Sequence, residues 1–199
     1  MSPVYKFSNA GGLTSKMRYT SMLAGNTTWN PWQPEGAYDS LATMTVGTTA
    51  TTIDFTGIPN TYKHLQVRIM ALTTASTIQP QMRFNNDTAA NYTRHSLYGD
   101  GTAAAAYGAA SVNQLVVGGL SVGMNTTNPY VCVIDILDYS STSKYKTMRS
   151  LSGTDRNGSG EIGLHSGTWM NSASAISSIS IISSGTYNTN STFSLYGVK

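Results

Sequence analysis

Short runs of alternating apolar and polar residues recur from about Tyr38 to the end of the chain. The runs follow one another at roughly 8 to 15 residues, with Gly, Asn, Ser or Pro between them, which is typical of an all-β sandwich or barrel. We count about ten or eleven candidate strands by this pattern and find no stretch that predicts a long helix.

The most regular run is KHLQVRIMAL, which places Leu65, Val67, Ile69 and Ala71 on one face of a strand. YVCVIDILDY is almost continuously apolar, which predicts a central strand buried on both faces. GTAAAAYGAAS is rich in Ala but contains Gly near both ends, which favours a loop. The other candidate strands are SLATMTVG, TTIDFTGIP, IQPQMRFN, NYTRHSLYG, SVNQLVVG, SKYKTMRSLSG, GEIGLHSG, AISSISIIS and STFSLYGVK.

This number and spacing of strands predicts an antiparallel β-sandwich of the jelly-roll type over residues 38–199. Such a fold leaves strands at the sheet edges, whose unpaired backbone groups must be covered or protected by charge. Only 11% of the residues are charged, against about 25% in an average soluble protein. We therefore expect the edges to be covered by neighbouring molecules in an assembly.

Residues 1–37 form a different segment, with few aliphatic residues, no period and several Gly and Pro breaks. We interpret this segment as an extended N-terminal attachment arm, which would order on a partner. Its candidate anchoring residues are Met17, Tyr19, Met22, Leu23, Trp29 and Trp32.

Charge and hydropathy argue against two kinds of partner. The net charge of +3 reflects few acidic residues rather than a basic block, so nucleic-acid binding has little electrostatic support. No run of about 20 apolar residues could span a membrane, and no signal peptide begins at Met1. We therefore expect a protein that is made in a cytoplasm and stays there or is released by lysis.

Catalytic and metal-binding constellations are missing from the pattern. His64, His95 and His165 match no HExxH or HxH spacing, and no phosphate-binding glycine loop or nucleophile elbow occurs. Asp135 and Asp138 would point to opposite faces of a strand, so they predict ion pairs rather than a carboxylate pair. Their expected partners are Arg149, Lys144 or Lys146. We predict no enzyme activity, no cofactor and no metal.

Three smaller features have simple structural interpretations. Cys132 lies within an apolar run, which predicts a buried and inert thiol. TDRNGSGEIG resembles a calcium loop loosely, but Asn157-Gly158 is a strong signal for a type I′ hairpin turn. Tyr98, Trp169 and Tyr187 could contact a glycan if exposed, and otherwise predict loop packing or a contact between subunits.

Four segments in order resemble small virion proteins of tailed bacteriophages, particularly those of aquatic and cyanobacterial hosts. The segments are PNTYKHLQVRI, VIDILDYSSTSKYKTMRSLSG, NGSGEIGLHSGTWMN and the terminal FSLYGVK, and the likeness covers roughly residues 38–199. NAGGLTSKMRYTSMLAGN also looks like the N-terminal attachment segments of this group.

The resemblance implies a structural component of a virion, with two alternatives for its place. One is a capsid decoration or cement protein, which clamps neighbouring capsid subunits through its arm and sheet edges. The other is a tail-fibre or tailspike subunit that binds a host glycan. Both imply other virion proteins as partners and a homo-oligomer of closed symmetry. An exposed patch of Tyr98, Trp169 and Tyr187 would favour the second.

Overall fold

Twelve β-strands and no helix form the part of the chain that the computed structural model describes, residues 37–73, 78–119 and 126–199. These residues belong to one unit, Ala37–Lys199. The strands are β1 (Tyr38–Thr45), β2 (Ala50–Phe55), β3 (His64–Ala71), β4 (Pro80–Phe84), β5 (Tyr92–Gly99), β6 (Ala104–Val112), β7 (Leu115–Val116), β8 (Tyr130–Leu137), β9 (Lys146–Asp155), β10 (Gly160–Trp169), β11 (Ile179–Tyr187) and β12 (Thr192–Val198).

The strands form two antiparallel sheets. The larger sheet has eight strands in the order β1-β12-β3-β8-β9-β10-β5-β6, and the smaller has four in the order β2-β11-β4-β7. Every pairing of neighbouring strands is antiparallel. The predicted all-β antiparallel sandwich is therefore confirmed.

One apolar core lies between the two sheets. The alternation predicted for KHLQVRIMAL is present, since Leu65, Val67, Ile69 and Ala71 are all buried. They join buried residues of the smaller sheet in a single cluster, among them Ile53, Phe55, Met82, Phe84, Ile179 and Ile181. Side chains alternate between the faces of a strand, so the residues in between project from the outer face of the larger sheet.

The hairpin between β9 and β10 is also confirmed. Asn157 and Gly158 have φ values of 51° and 93°, which is the left-handed backbone that a type I′ turn requires at both central positions. Asn adopts this conformation more readily than most residues, and Gly does so without steric cost.

Two strand predictions were wrong. GTAAAAYGAAS is not a loop, because Ala104–Val112 pairs with β5 along its length and forms the edge strand β6. Pairing with a neighbour overrides the low β-propensity of Ala. SVNQLVVG is not one strand, because Ser111 and Val112 end β6 and only Leu115–Val116 form the separate two-residue strand β7.

The prediction of double burial for YVCVIDILDY was wrong as well. β8 is a central strand of the larger sheet, and Cys132, Ile134 and Ile136 are buried on its inner face. On its outer face, however, Val131 is 51% exposed and Val133 is 41% exposed. The second set of apolar residues therefore faces outward.

Candidate interaction surface

An aliphatic surface covers the middle of the outer face of the larger sheet. Its six members come from β5, β8, β9 and β10, and each is between 41% and 62% exposed. We call this surface the apolar patch, and its residues are Leu97, Val131, Val133, Leu151, Ile162 and Leu164. The outer face of an antiparallel sheet is ordinarily polar, so this composition requires an explanation.

Strand register arranges four members of the apolar patch in one row. Leu97 lies opposite Leu164, Leu164 opposite Leu151, and Leu151 opposite Val133. With strands about 4.8 Å apart, the row extends about 14 Å across the sheet. Ala106 of β6 continues the row at one end, opposite Leu97. A contiguous apolar row of this kind is typical of a binding surface rather than of scattered exposed residues.

Two open depressions adjoin on this face. One has a volume of about 920 Å³ and lies around the row, with Leu97, Leu151 and Leu164 among its lining residues. The other, of about 760 Å³, extends toward the hairpin between β9 and β10. Gly99 and Gly153 flank Ile162 in register and line the second depression. With no side chains at these two positions, the sheet surface is recessed beside Ile162.

A polar network borders the apolar patch on the side of β3. The side-chain amide of Gln66 donates to Asp135 Oδ1 at 2.9 Å, and Arg68 Nε donates to Gln66 Oε1 at 2.8 Å. Arg149 Nε lies 3.2 Å from Asp135 Oδ2, which confirms the ion pair predicted for Asp135. The carboxylate therefore has partners on both neighbouring strands.

At the edge of the sheet, two tyrosine rings pack against Arg68 of the polar network. The guanidinium of Arg68 lies 4.7 Å from the ring centre of Tyr196 and 5.4 Å from that of Tyr38. The two rings meet edge to face at 6.4 Å. These contacts stabilise a cation on an exposed surface.

Behind the part of the apolar patch that β5, β9 and β10 contribute, buried polar residues lie on the inner face of the sheet. Ser150 and Ser152 of β9 are buried, as are Ser96 of β5 and His165 of β10. The polarity of this part of the sheet is thus inverted, with small polar residues inside and aliphatic residues outside.

The inversion follows from what covers the inner face there. Ser150 Oγ donates to the carbonyl oxygen of Val117 at 2.9 Å, so a backbone segment lies directly on the strands. A Cβ at Gly167 would come within 2.4 Å of Leu115 Cδ2. Small side chains permit this close approach, and hydroxyls provide hydrogen bonds to the buried backbone.

His165 is held between two serines in this region. Its Nδ1 lies 2.8 Å from Ser96 Oγ, and its Nε2 lies 3.5 Å from Ser152 Oγ. Burial lowers the pKa of His165 to about 4. The ring is therefore neutral at pH 7 and acts as a hydrogen-bonding core residue.

Two further ionisable groups have the roles expected from the sequence. Cys132 is buried, donates to the Val117 carbonyl at 3.2 Å, and has a pKa raised by burial to about 12. It is therefore a thiol rather than a reactive thiolate. Asp138 pairs with Lys144 at 2.8 Å, and the hydrogen bond from Lys144 lowers the pKa of the carboxyl.

The three predicted glycan-contacting residues do not form an exposed platform. Trp169 is 1% exposed and Tyr187 is fully buried, so the prediction is wrong for both. Tyr98 is half-buried and packs edge to face against Tyr107, with ring centres 6.2 Å apart. The alternative of a packing role applies to Trp169 and Tyr187.

Trp169 instead packs within an aromatic cluster of the core. Its ring lies 5.8 Å from that of Phe84 and 6.5 Å from that of Tyr92. Its indole nitrogen donates to Asp87 Oδ2 at 2.7 Å. Although burial alone would raise the pKa of Asp87, hydrogen bonds from Asn91, Trp169 and the Ala89 backbone lower it overall. The carboxylate therefore anchors the turn that follows β4.

Other predicted sites fall outside the described residues or lack a geometric basis within them. The arm-anchoring residues lie outside the described ranges: Met17, Tyr19, Met22, Leu23, Trp29 and Trp32. Among the residues described, no group of three His, Cys, Asp or Glu side chains could hold a metal ion. The same part of the chain contains no helix that could cross a membrane.

Comparison with known proteins identifies no relative: no protein-family model, no curated protein and no solved structure matches the chain. Functional inference therefore depends on the chemistry of the surface itself and on the resemblance of the four sequence segments.

Sequence reasoning missed the apolar patch, although its signal was present. β8 is apolar at almost every position, and β9 and β10 carry Leu151, Ile162 and Leu164 between Ser and Gly residues. The first pattern predicts double burial within the sandwich. The second contained too few apolar residues to indicate which face of the strand was buried.

Proposed function

We propose that the protein is a structural, non-enzymatic component of a tailed bacteriophage particle. Within that class we propose a capsid decoration or cement protein that clamps neighbouring capsid subunits through its arm, residues 1–37, and through its larger sheet. The apolar patch is the observation that carries this proposal. An aliphatic surface of this kind is stabilised when a partner covers it.

The composition of the apolar patch favours a protein as that partner. Val, Leu and Ile side chains offer no hydrogen bonds to a sugar and no ring on which a sugar or base could stack. They are suited to packing against apolar side chains, as in permanent protein interfaces. The polar network of Gln66, Asp135 and Arg149 then lies where the hydrated rim of such an interface would be.

The segments that carry the sequence resemblance also lie together. PNTYKHLQVRI contributes β3, FSLYGVK contributes β12, and the other two contribute β8, β9 and β10. These five strands are adjacent in the larger sheet, in the order β12-β3-β8-β9-β10. A likeness distributed over five neighbouring strands supports one common structural unit better than four separate matches would.

The alternative is a tail-fibre or tailspike subunit. Two of the three residues proposed to contact the glycan, Trp169 and Tyr187, are buried and offer no surface for it. A tail location itself remains compatible with an apolar docking surface. Copy number separates the two locations, since a head protein is present in hundreds of copies and a tail protein in a few dozen at most.

The test uses particles assembled without the native protein and then supplied with purified variants. Leu151→Asp places a charge in the centre of the apolar patch, and we expect it to reduce incorporation at least 100-fold, since burying an unpaired charge costs several kcal/mol. Thr147→Asp is the matched control, because Thr147 is exposed on the same face of the same strand. Quantitative gels of purified heads and tails measure the copies bound.

Several outcomes decide between the proposals. Incorporation of wild type and Thr147→Asp in hundreds of copies on heads, with loss of Leu151→Asp, would support the cement function. We also expect heads lacking the protein to burst at a lower temperature while adsorption to cells is unchanged. Equal incorporation of both variants would rule out the apolar patch as the docking surface, and recovery with tails alone would favour the alternative.

A further inference from the structure

The four edge strands of the two sheets differ in how they are protected. β1 carries Asp39, paired with Lys199 at 3.0 Å, and its register with β12 shifts between Ser40 and Ala42. β2 carries Asp54, and β7 is only two residues long. Charge, irregularity and short length are the usual means of preventing unwanted pairing at an edge.

The edge strand β6 has a long stretch without these protections. It is nine residues long and contains no charged residue. Its register with β5 is regular from Ala104 to Ala109, and the irregularity lies at the far end, near Ser111, whose φ is 55°. Within the described residues, β5 is the only strand paired with β6. From Ala104 to Ala109, the backbone groups that point away from β5 therefore form a regular row along the free edge of the strand.

The side chains of β6 are also unusually small. Five of its nine residues are Ala and one is Gly, and Ala104, Ala105 and Ala106 are all exposed. Small side chains on both faces allow another strand to approach without steric conflict. They also supply little apolar area, so a partner here would be held mainly by backbone hydrogen bonds.

We infer that β6 of one copy pairs antiparallel with β6 of a second copy across a two-fold axis. A two-fold arrangement requires only that the strand be complementary to itself, and an uncharged Ala- and Gly-rich strand meets that condition without charge repulsion. One contact then covers the edge of both copies. The two eight-stranded sheets join into a continuous sheet.

The pairing also extends the outer surface. Ala106 lies at the end of the row formed by Leu97, Leu164, Leu151 and Val133. If Ala106 lies opposite its own copy, the two-fold axis brings the two rows end to end, which doubles the aliphatic surface that one assembled unit presents. The inference does not depend on the proposed function, since a dimer of this kind could dock on any large partner.

Sedimentation of the full-length chain tests the inference. We expect a dimer for wild type and at least a tenfold weaker association for the double variant Ala104→Lys, Ala106→Lys, because lysines at an edge oppose pairing. The matched control is Thr43→Lys, Thr45→Lys, which places the same charges on exposed positions of the opposite edge strand β1. A wild-type monomer at the highest soluble concentration would overturn the inference. So would a dimer that dissociates with Leu151→Asp but not with the β6 variant.

Single cysteines provide a second measurement that does not require disrupting the strand. In an antiparallel pair related by a two-fold axis, only one residue lies opposite its own copy, with Cβ atoms about 4.5 to 5.5 Å apart. We expect one substitution to Cys among positions 104–109 to form a disulfide between copies, and its neighbours not to. Cys132 is buried and gives no background. Cross-linking no faster than that of a Thr45→Cys control at every position would contradict the pairing.

Discussion

On the outer face of the larger sheet, β12 and β3 carry Tyr196, Gln66 and Arg68, whereas β9, β10 and β5 carry Leu151, Leu164 and Leu97. The polar groups of the first region are largely satisfied by one another, through the contacts of Arg68 with Gln66 and with two tyrosine rings. The residues of the second region have no such partners among the described residues. The first region is thus typical of a solvent-facing surface, whereas the second exposes aliphatic side chains, which is the composition of a protein interface.

The inner faces of the two regions are reversed in the same way. Beneath β3 lie Leu65, Val67 and Ile69, which pack against the smaller sheet. Beneath β9 and β10 lie Ser150, Ser152 and His165, and Ser150 donates a hydrogen bond to the Val117 carbonyl in the segment that follows β7. Each inner face is matched to what covers it, which is the smaller sheet in the first region and a backbone segment in the second.

The largest expected effect compares adjacent residues of β8. Ile134→Ala removes a fully buried side chain and should lower the free energy of unfolding by about 4 kcal/mol. Val133→Ala, on the outer face, should change it by no more than about 0.5 kcal/mol. Urea unfolding of both variants measures the difference. Similar losses for the two would mean that Val133 is already covered within the isolated chain.

A second effect concerns the polar inner face. The pKa of His165 is lowered from 6.5 to about 4, so the folded state favours the neutral ring. This contribution to stability is fully present above pH 6.5 and is lost as the pH falls toward 4, because the unfolded chain then binds the extra proton. The loss amounts to about 3 kcal/mol.

Urea unfolding between pH 7 and pH 4 measures this effect in wild type and in His165→Gln. The variant should lack this part of the pH dependence, while the contribution of the carboxylates is common to both proteins. An identical pH dependence in the two would show that His165 does not titrate as its burial requires.

The smallest effect tests the polar border. Arg68→Met retains an apolar stem but removes the cation from Tyr38 and Tyr196 and the donor from Gln66. We expect a loss of about 1 kcal/mol in the free energy of unfolding. Arg68→Lys keeps the charge and should lose less. If Arg68→Met were as stable as wild type, the contacts around Arg68 would contribute nothing to folding.

The sequence predicted the strands better than the surfaces. Alternation in KHLQVRIMAL and the Asn157-Gly158 turn led directly to β3 and to the β9–β10 hairpin, because period and turn chemistry are local properties. Which face of β9 is inward is not local, since Ser150 is buried only because the Val117 backbone lies against it. The exposure of Val131 and Val133 could not be predicted from the sequence either. An apolar strand face has the same sequence pattern whether it faces the core of the sandwich or the exterior.

The strand β6 was missed for a related reason. Ala and Gly have low β-propensity, and only pairing with β5 makes Ala104–Val112 a strand. The glycan prediction failed for Trp169 and Tyr187 because an aromatic residue at the end of a strand looks the same in the sequence whether its ring turns inward or outward. Trp169 turns inward, where Asp87 accepts its indole hydrogen bond.

The corner at which the last strand ends has a practical consequence for labelling experiments. Lys199 donates its backbone N–H to the Ala37 carbonyl at 3.1 Å, so the final described residue lies beside the start of β1. β1 and β6 are the opposite edges of the larger sheet, seven strand spacings or about 33 Å apart. A fluorophore or affinity tail joined after Lys199 would therefore emerge far from β6. Fusion proteins made in this way should report on self-association without obstructing it.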